Sequence, residues 1–126
     1  LNSFASVAAP VVWSAMLYRD DVKPFVDLAG ASGDLYRFRR AEGGLSPAGG
    51  NFVYVREEGG ETKVVCCGKA RSLTSVLMGR VWISDENALP DDTLYIRLNA
   101  ASRVRDAEHE DLIAGLPRQF VILEME

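Results

Sequence analysis

The 126-residue sequence is poor in cysteine, histidine and basic charge, and each shortage excludes something. Its two cysteines, Cys66 and Cys67, are neighbours. Adjacent residues close only a strained ring, which argues against a structural disulfide between them. Two thiols in so short a chain point to a reducing compartment, the cytosol. With the lone His109 they lack the paired ligand spacing of a structural zinc site. Fourteen Lys and Arg stand against eighteen Asp and Glu, a net charge of -4 and a pI near 5.0. That excludes a strongly basic nucleic-acid binder, although not a local basic patch. Repeats and low-complexity tracts are missing too. Residues 1–18 carry no charge, but Asn2, Ser3, Ser6, Pro10 and Ser14 interrupt them. A spanning helix needs about 20 mainly apolar residues, and a signal peptide needs a basic start. The expectation is a partly extended segment packed on the domain, with no membrane partner. The chain opens on Leu1 rather than Met, so residues upstream of it are expected.

What is present is the balance of one soluble domain over residues 1–126, 48% hydrophobic and 25% charged. DDVKPFVDLA (20–29) reads as a short helix with Asp20 or Asp21 as cap, Pro24 in its first turn and Gly30 as its stop. DLYRFRRAE (34–42) reads as a strand or extended arm, and GGLSPAGG (43–50) as a loop. NFVYVREE (51–58) and ETKVVCCG (61–68), joined by Gly59-Gly60, carry a hairpin signature. Helical character follows in KARSLTSVLMG (69–79). TLYIRLN (93–99) predicts a strand with Leu94, Ile96 and Leu98 on one face. Ser102 is placed as the cap of a helix that ends at Gly115 and Pro117. QFVILEM is left as an edge strand or a dimer contact. The expected fold is α/β (α+β): a small antiparallel three-stranded sheet flanked by helices. Residues 1–49 form an N-terminal elaboration, 50–117 the core and 118–126 a tail or edge strand.

The order hairpin, helix, strand, helix resembles the GIY-YIG nuclease family. Gly50-Asn51-Phe52, or Phe52-Val53-Tyr54 in the adjacent register, resembles the first signature tripeptide. Cys66-Cys67-Gly68 resembles the second, followed by Lys69-Ala70-Arg71-Ser72-Leu73. AEHEDLIAGLP (107–117) resembles the family's late helix. The resemblance implies one-metal phosphodiester hydrolysis with a tyrosine, an arginine and a metal-binding glutamate. Here the second tyrosine position holds Cys66, the arginine position Val76 and the glutamate position His109, with Glu108 beside it. Valine cannot donate to a phosphate oxygen, and imidazole is a poor magnesium ligand. The resemblance therefore implies a nuclease-like domain that has lost its chemistry, needs no cofactor, and binds a protein partner or nucleic acid.

Two catalytic alternatives stay open at this level. In a rearranged endonuclease using Mg or Mn, Tyr54, Glu108 and a displaced arginine, Arg71 or Arg80, take over the lost roles. Glu108 and Asp111, three apart on one helix face, are its metal candidates; a solvated acidic face is the plainer reading. In a thiol hydrolase, Cys66 pairs with His109, whose imidazolium would stabilise the thiolate. Against it stand a buried thiol and a hydrogen-bonded histidine filling an old pocket. For nucleic acid, the YRFRR run puts Arg37 and Arg39 on one strand face. Lys69, Arg71, Arg56, Arg80, Arg97, Arg103 and Arg105 are candidates to extend it; an ordinary half-buried strand reads the same way. Trp13, Trp82 and residues 120–123 are core candidates or an apolar patch for a partner.

Overall fold

A computed structural model describes residues 23–42, 46–78, 82, 84–117 and 119–126. Six strands and two helices follow one another in it. The strands are β1 (Phe25–Ala29), β2 (Leu35–Arg40), β3 (Gly50–Glu58), β4 (Glu61–Ala70), β5 (Thr93–Leu98) and β6 (Val121–Met125). The helices are α1 (Thr74–Met78), between β4 and β5, and α2 (Ser102–Gly115), between β5 and β6. The strands form one sheet in the order β1-β2-β5-β3-β4-β6, antiparallel except for the parallel pair β4·β6. The expected three-stranded sheet flanked by helices is thereby corrected. Its three strands are there as β5, β3 and β4, but β2 and β1 extend one side and β6 the other. Among the described residues, helix is reduced to α2 and the five residues of α1.

The extra strands have local causes. Residues 25–29 were expected to be helical, yet Val26 and Leu28 alternate inward as β1 and pair with Phe38 and Tyr36 of β2. A two-residue period over five residues fits a strand as well as one turn of helix, and the β2 edge decides. The alternation in β2 is as the sequence indicates: Tyr36 and Phe38 are buried and Arg37 and Arg39 point outward. In the β3–β4 hairpin, Gly59 and Gly60 both have positive φ, 62° and 83°. Two such residues give the turn whose twist suits adjacent antiparallel strands. β4 does not stop at Gly68 but runs to Ala70, because β6 lies along residues 66–70. Helix is confined to residues 74–78 in the segment expected to be helical from 69. Ser102 is the first residue of α2 rather than its cap; Ala101 holds the cap position without a side-chain bond. The terminal run is the edge strand β6. The expectations for residues 1–18, for the caps Asp20 and Asp21 and for Arg80 lie outside the described residues.

Both faces of the sheet are covered. On one, Phe52, Tyr54, Cys66, Leu73, Val76, Trp82 and Ile96 form a cluster beneath the segment that follows β4. On the other, Tyr36, Phe38, Val53, Val55, Cys67, Tyr95 and Leu112 pack under α2. A register shift between Tyr54 and Val55 leaves Val65 as an extra residue on β4. The bulge turns Val64 towards the α2 face and Val65 towards the other. Among the described residues, no helix is long and apolar enough to cross a membrane.

Candidate functional site

Three of the residues at the resemblance's catalytic positions, Tyr54, Cys66 and Val76, sit on the face away from α2. Tyr54 lies edge-on to Phe52 at 6.4 Å and stacks on Trp82 at 5.9 Å. Trp82, 1% exposed, covers the cluster. Its Nε1–H donates to Asp92 at 2.8 Å. Asp92 also accepts two bonds from Arg56, at 2.7 and 2.9 Å, and one from the Leu89 N–H at 2.8 Å. Burial opposes ionisation of Asp92, but Arg56, Leu89 and Trp82 outweigh it and hold the carboxyl below its usual range. This ionic clasp ties β3 to the turn before β5 and fixes the indole over the sheet.

Under that lid nothing is poised for chemistry. Burial, with the neighbouring Cys66 thiol, pushes Tyr54 up to about 12. Burial, then Cys67, Asp85 and Asp92, pushes Cys66 up to about 12 as well. A nucleophilic thiol needs the opposite shift. Val76 is fully buried in the same cluster.

His109 belongs to the other face. Arg105, His109 and Leu112 are the buried residues of α2, the helix that lies over Cys67 and Lys69. Successive side chains of a strand point to opposite faces, so the sheet separates Cys66 from His109. The thiol–histidine pair is not assembled. Instead His109 Nε2 meets Glu124 of β6 at 3.2 Å, while Nδ1 has no partner among the described residues. Burial, the largest influence, and the nearby Lys69 charge hold the His109 pKa below its usual value, against the opposing pull of Glu124.

Glu108 is also committed. It accepts from Arg97 Nε at 2.8 Å and from Asn99 Nδ2 at 3.0 Å. Asn99 donates to buried Asn51 as well, and Asn51 donates to the Arg105 carbonyl. Asp111 turns away, accepting from the Ser32 N–H, the Ser32 hydroxyl and the Tyr36 hydroxyl at 2.6 to 2.8 Å. The proposed Glu108–Asp111 metal pair is thus divided between two networks. Among the described residues, no three His, Cys, Asp or Glu side chains are grouped to hold a metal ion.

The candidate cations do not form one face. Arg37 pairs with Asp27 at 2.8 Å and lies over the Phe25 ring. Lys69 pairs with Asp106 at 2.7 Å. Arg56, Arg97 and Arg105 are paired with Asp92, Glu108 and Glu126. Arg39 and Arg71 make no ion pair among the described residues, and they lie on β2 and beyond β4, with β5 and β3 between those strands.

The open space lies elsewhere, around residues 61–65 of β4. On the α2 face a cavity of about 510 Å³ is bounded by Leu28, Val64, Leu116 and Phe120, with Asp27 and Lys63 at its rim. Leu28 and Val64 meet around it although three strands separate β1 from β4, so the sheet curls strongly. On the opposite face a second cavity, about 610 Å³, is bounded by Val65, Trp82, Phe120 and Val121, with Arg56 and Asn87. Sequence reasoning missed both cavities and the Arg56–Asp92–Trp82 clasp. The unbroken Val64-Val65-Cys66-Cys67 run was the available signal, since a strand covered on both faces loses its alternation.

Compared with known protein families, curated proteins and solved structures, the chain matches none. Fold and site together define a curled mixed sheet with a sealed aromatic face and open space along one strand edge.

Proposed function

We propose that the chain is a non-catalytic binding domain whose partner is a protein, related by resemblance to GIY-YIG nucleases. The observation that carries this reading is the closure of the would-be catalytic face. Tyr54, Cys66 and Val76 are packed into a core beneath Trp82, where neither water nor a phosphodiester can reach them. Hydrolysis needs donors and a base within reach of the reacting atoms. The ion-paired cations favour protein over nucleic acid, because each Lys or Arg already neutralised releases no counterion on binding. Free, buried thiols fit a cytosolic setting.

The test is purified protein at low salt with plasmid, single-stranded and branched DNA, with magnesium or manganese and with or without chelator. Neither cleavage nor a shifted band is expected. Metal-dependent cleavage that Glu108→Ala abolishes would overturn the reading in favour of the rearranged endonuclease.

A further inference from the structure

The β4·β6 pairing begins at Cys66 and Val121. Over residues 62–65, β4 continues past the start of β6, with residues 62–64 paired to β3 on one side, Val65 bulged out of that ladder, and no described strand on the other. An open strand edge presents alternate N–H and C=O groups to whatever lies beside it. This stretch has a cavity on each face of the sheet, one beside Val64 and one beside Val65. Phe120, half-buried just before β6, lines both. Backbone groups along an edge, with pockets above and below for alternate side chains, are the requirements for recognising an extended peptide by strand addition.

We infer that residues 62–65 of β4 receive an extended segment of the partner protein, added as a strand in line with β6. Its apolar side chains alternate between the two cavities, against Leu28, Val64 and Leu116 on one face and Val65 and Val121 on the other. Charge selects the rest of the ligand. The hairpin tip next to this edge carries Glu57, Glu58 and Glu61, with Lys63 held by Glu58 in an ion pair, so the tip is acidic in net charge. A segment with lysine or arginine at the end lying over the tip is favoured, and an acidic one is repelled. The existing β6 strand shows the chemistry, since it uses the same edge of β4 four residues further along, with Val121 and Leu123 packed against the aromatic cluster.

The inference rests on the protein-binding reading and is tested separately from it. A phage-displayed pool of random dodecapeptides is selected on the immobilised full chain, and enriched peptides are synthesised and titrated by fluorescence anisotropy. Enriched sequences are expected to alternate apolar residues and to end in lysine or arginine. N-methylation at alternate backbone nitrogens should weaken binding about tenfold or more without touching a side chain. Phe120→Ala should weaken it by a similar factor, with amide shift changes in the wild type centred on residues 62–65. No enrichment, binding indifferent to N-methylation, or shifts centred on the outer edge of β1 or β6 would each overturn strand addition. No enrichment from a chain that also fails to cleave DNA leaves the non-catalytic reading in place. DNA cleavage would overturn that reading whatever the peptides do.

Discussion

Truncating Trp82 tests the closure of the aromatic face most directly. Trp82→Ala removes an indole that is 1% exposed and stacked on Tyr54. Emptying a site of that size costs about 3–5 kcal/mol. The lost bond to Asp92 adds only about 1 kcal/mol, because the carboxylate keeps Arg56 and the Leu89 N–H. Domains of this kind have a total stability of about 5–15 kcal/mol, so the variant should be weakened and still largely folded. With a urea slope of about 1–3 kcal/mol per molar, the midpoint should fall by about 2 M. Thiol labelling supplies the positional check. The indole covers the cluster that holds Cys66, whereas Cys67 lies on the α2 face. In the wild type both thiols should alkylate slowly, since burial pushes each up to about 12. In Trp82→Ala, mass spectrometry should find Cys66 labelled well ahead of Cys67. Equal acceleration of the two, or rapid labelling of Cys66 in the wild type, would refute the closed-face argument.

Other consequences are as specific. The native His109 pKa lies below the ordinary 6.5, so on acidification the unfolded chain takes up the proton first. The stability this imposes is complete above about pH 6.5 and is lost as the pH falls towards the native pKa. Urea midpoints between pH 7.5 and 5 should show the loss, and His109→Gln should flatten it; an unchanged slope would refute the assignment. Arg105→Met strips the two-pronged bond to Glu126 and the donors to the Asn99 and Ala100 carbonyls. Because Glu126 is partly solvated, a cost of about 2 kcal/mol is expected. The Arg71 amide, bonded to the Met125 carbonyl at 3.1 Å, should exchange faster as β6 loosens. Gly68→Ala would drive a methyl into Phe52 and the Leu123 carbonyl. Overpacking there should cost about 1–3 kcal/mol in chemical denaturation, and a neutral result would mean β6 does not press on β4 as described.

The hairpin was legible because its signals are local. Gly59-Gly60 must take positive φ to turn, and the β-rich runs on either side leave few other options. The same holds for Tyr36 and Phe38 alternating with arginines in β2, and for α2, whose Arg105, His109 and Leu112 recur at helical spacing on one face. Residues 25–29 were illegible because five residues carry too little periodicity to separate a strand from a helical turn. Only the β2 edge, supplied by chain folding, makes them a strand.

The candidate site divides in the same way. Residue types alone determined that the metal and phosphate chemistry of the resembling family would lack its ligands: valine has no donor at position 76, whatever surrounds it. They also led to the expectation of a reducing setting, from two adjacent thiols, and of a charge unsuited to strong nucleic-acid binding. Tertiary structure decided everything that depends on which side of a sheet a residue faces. A bulge at Val65 sets the facing of Val64 and Val65. The crossover through α2 puts His109 on the face opposite Cys66, and an edge of β4 that no described strand covers before β6 becomes open ground. Side-chain facing has a period of two along a strand, so one inserted residue reverses it, and no local property of the sequence records that insertion.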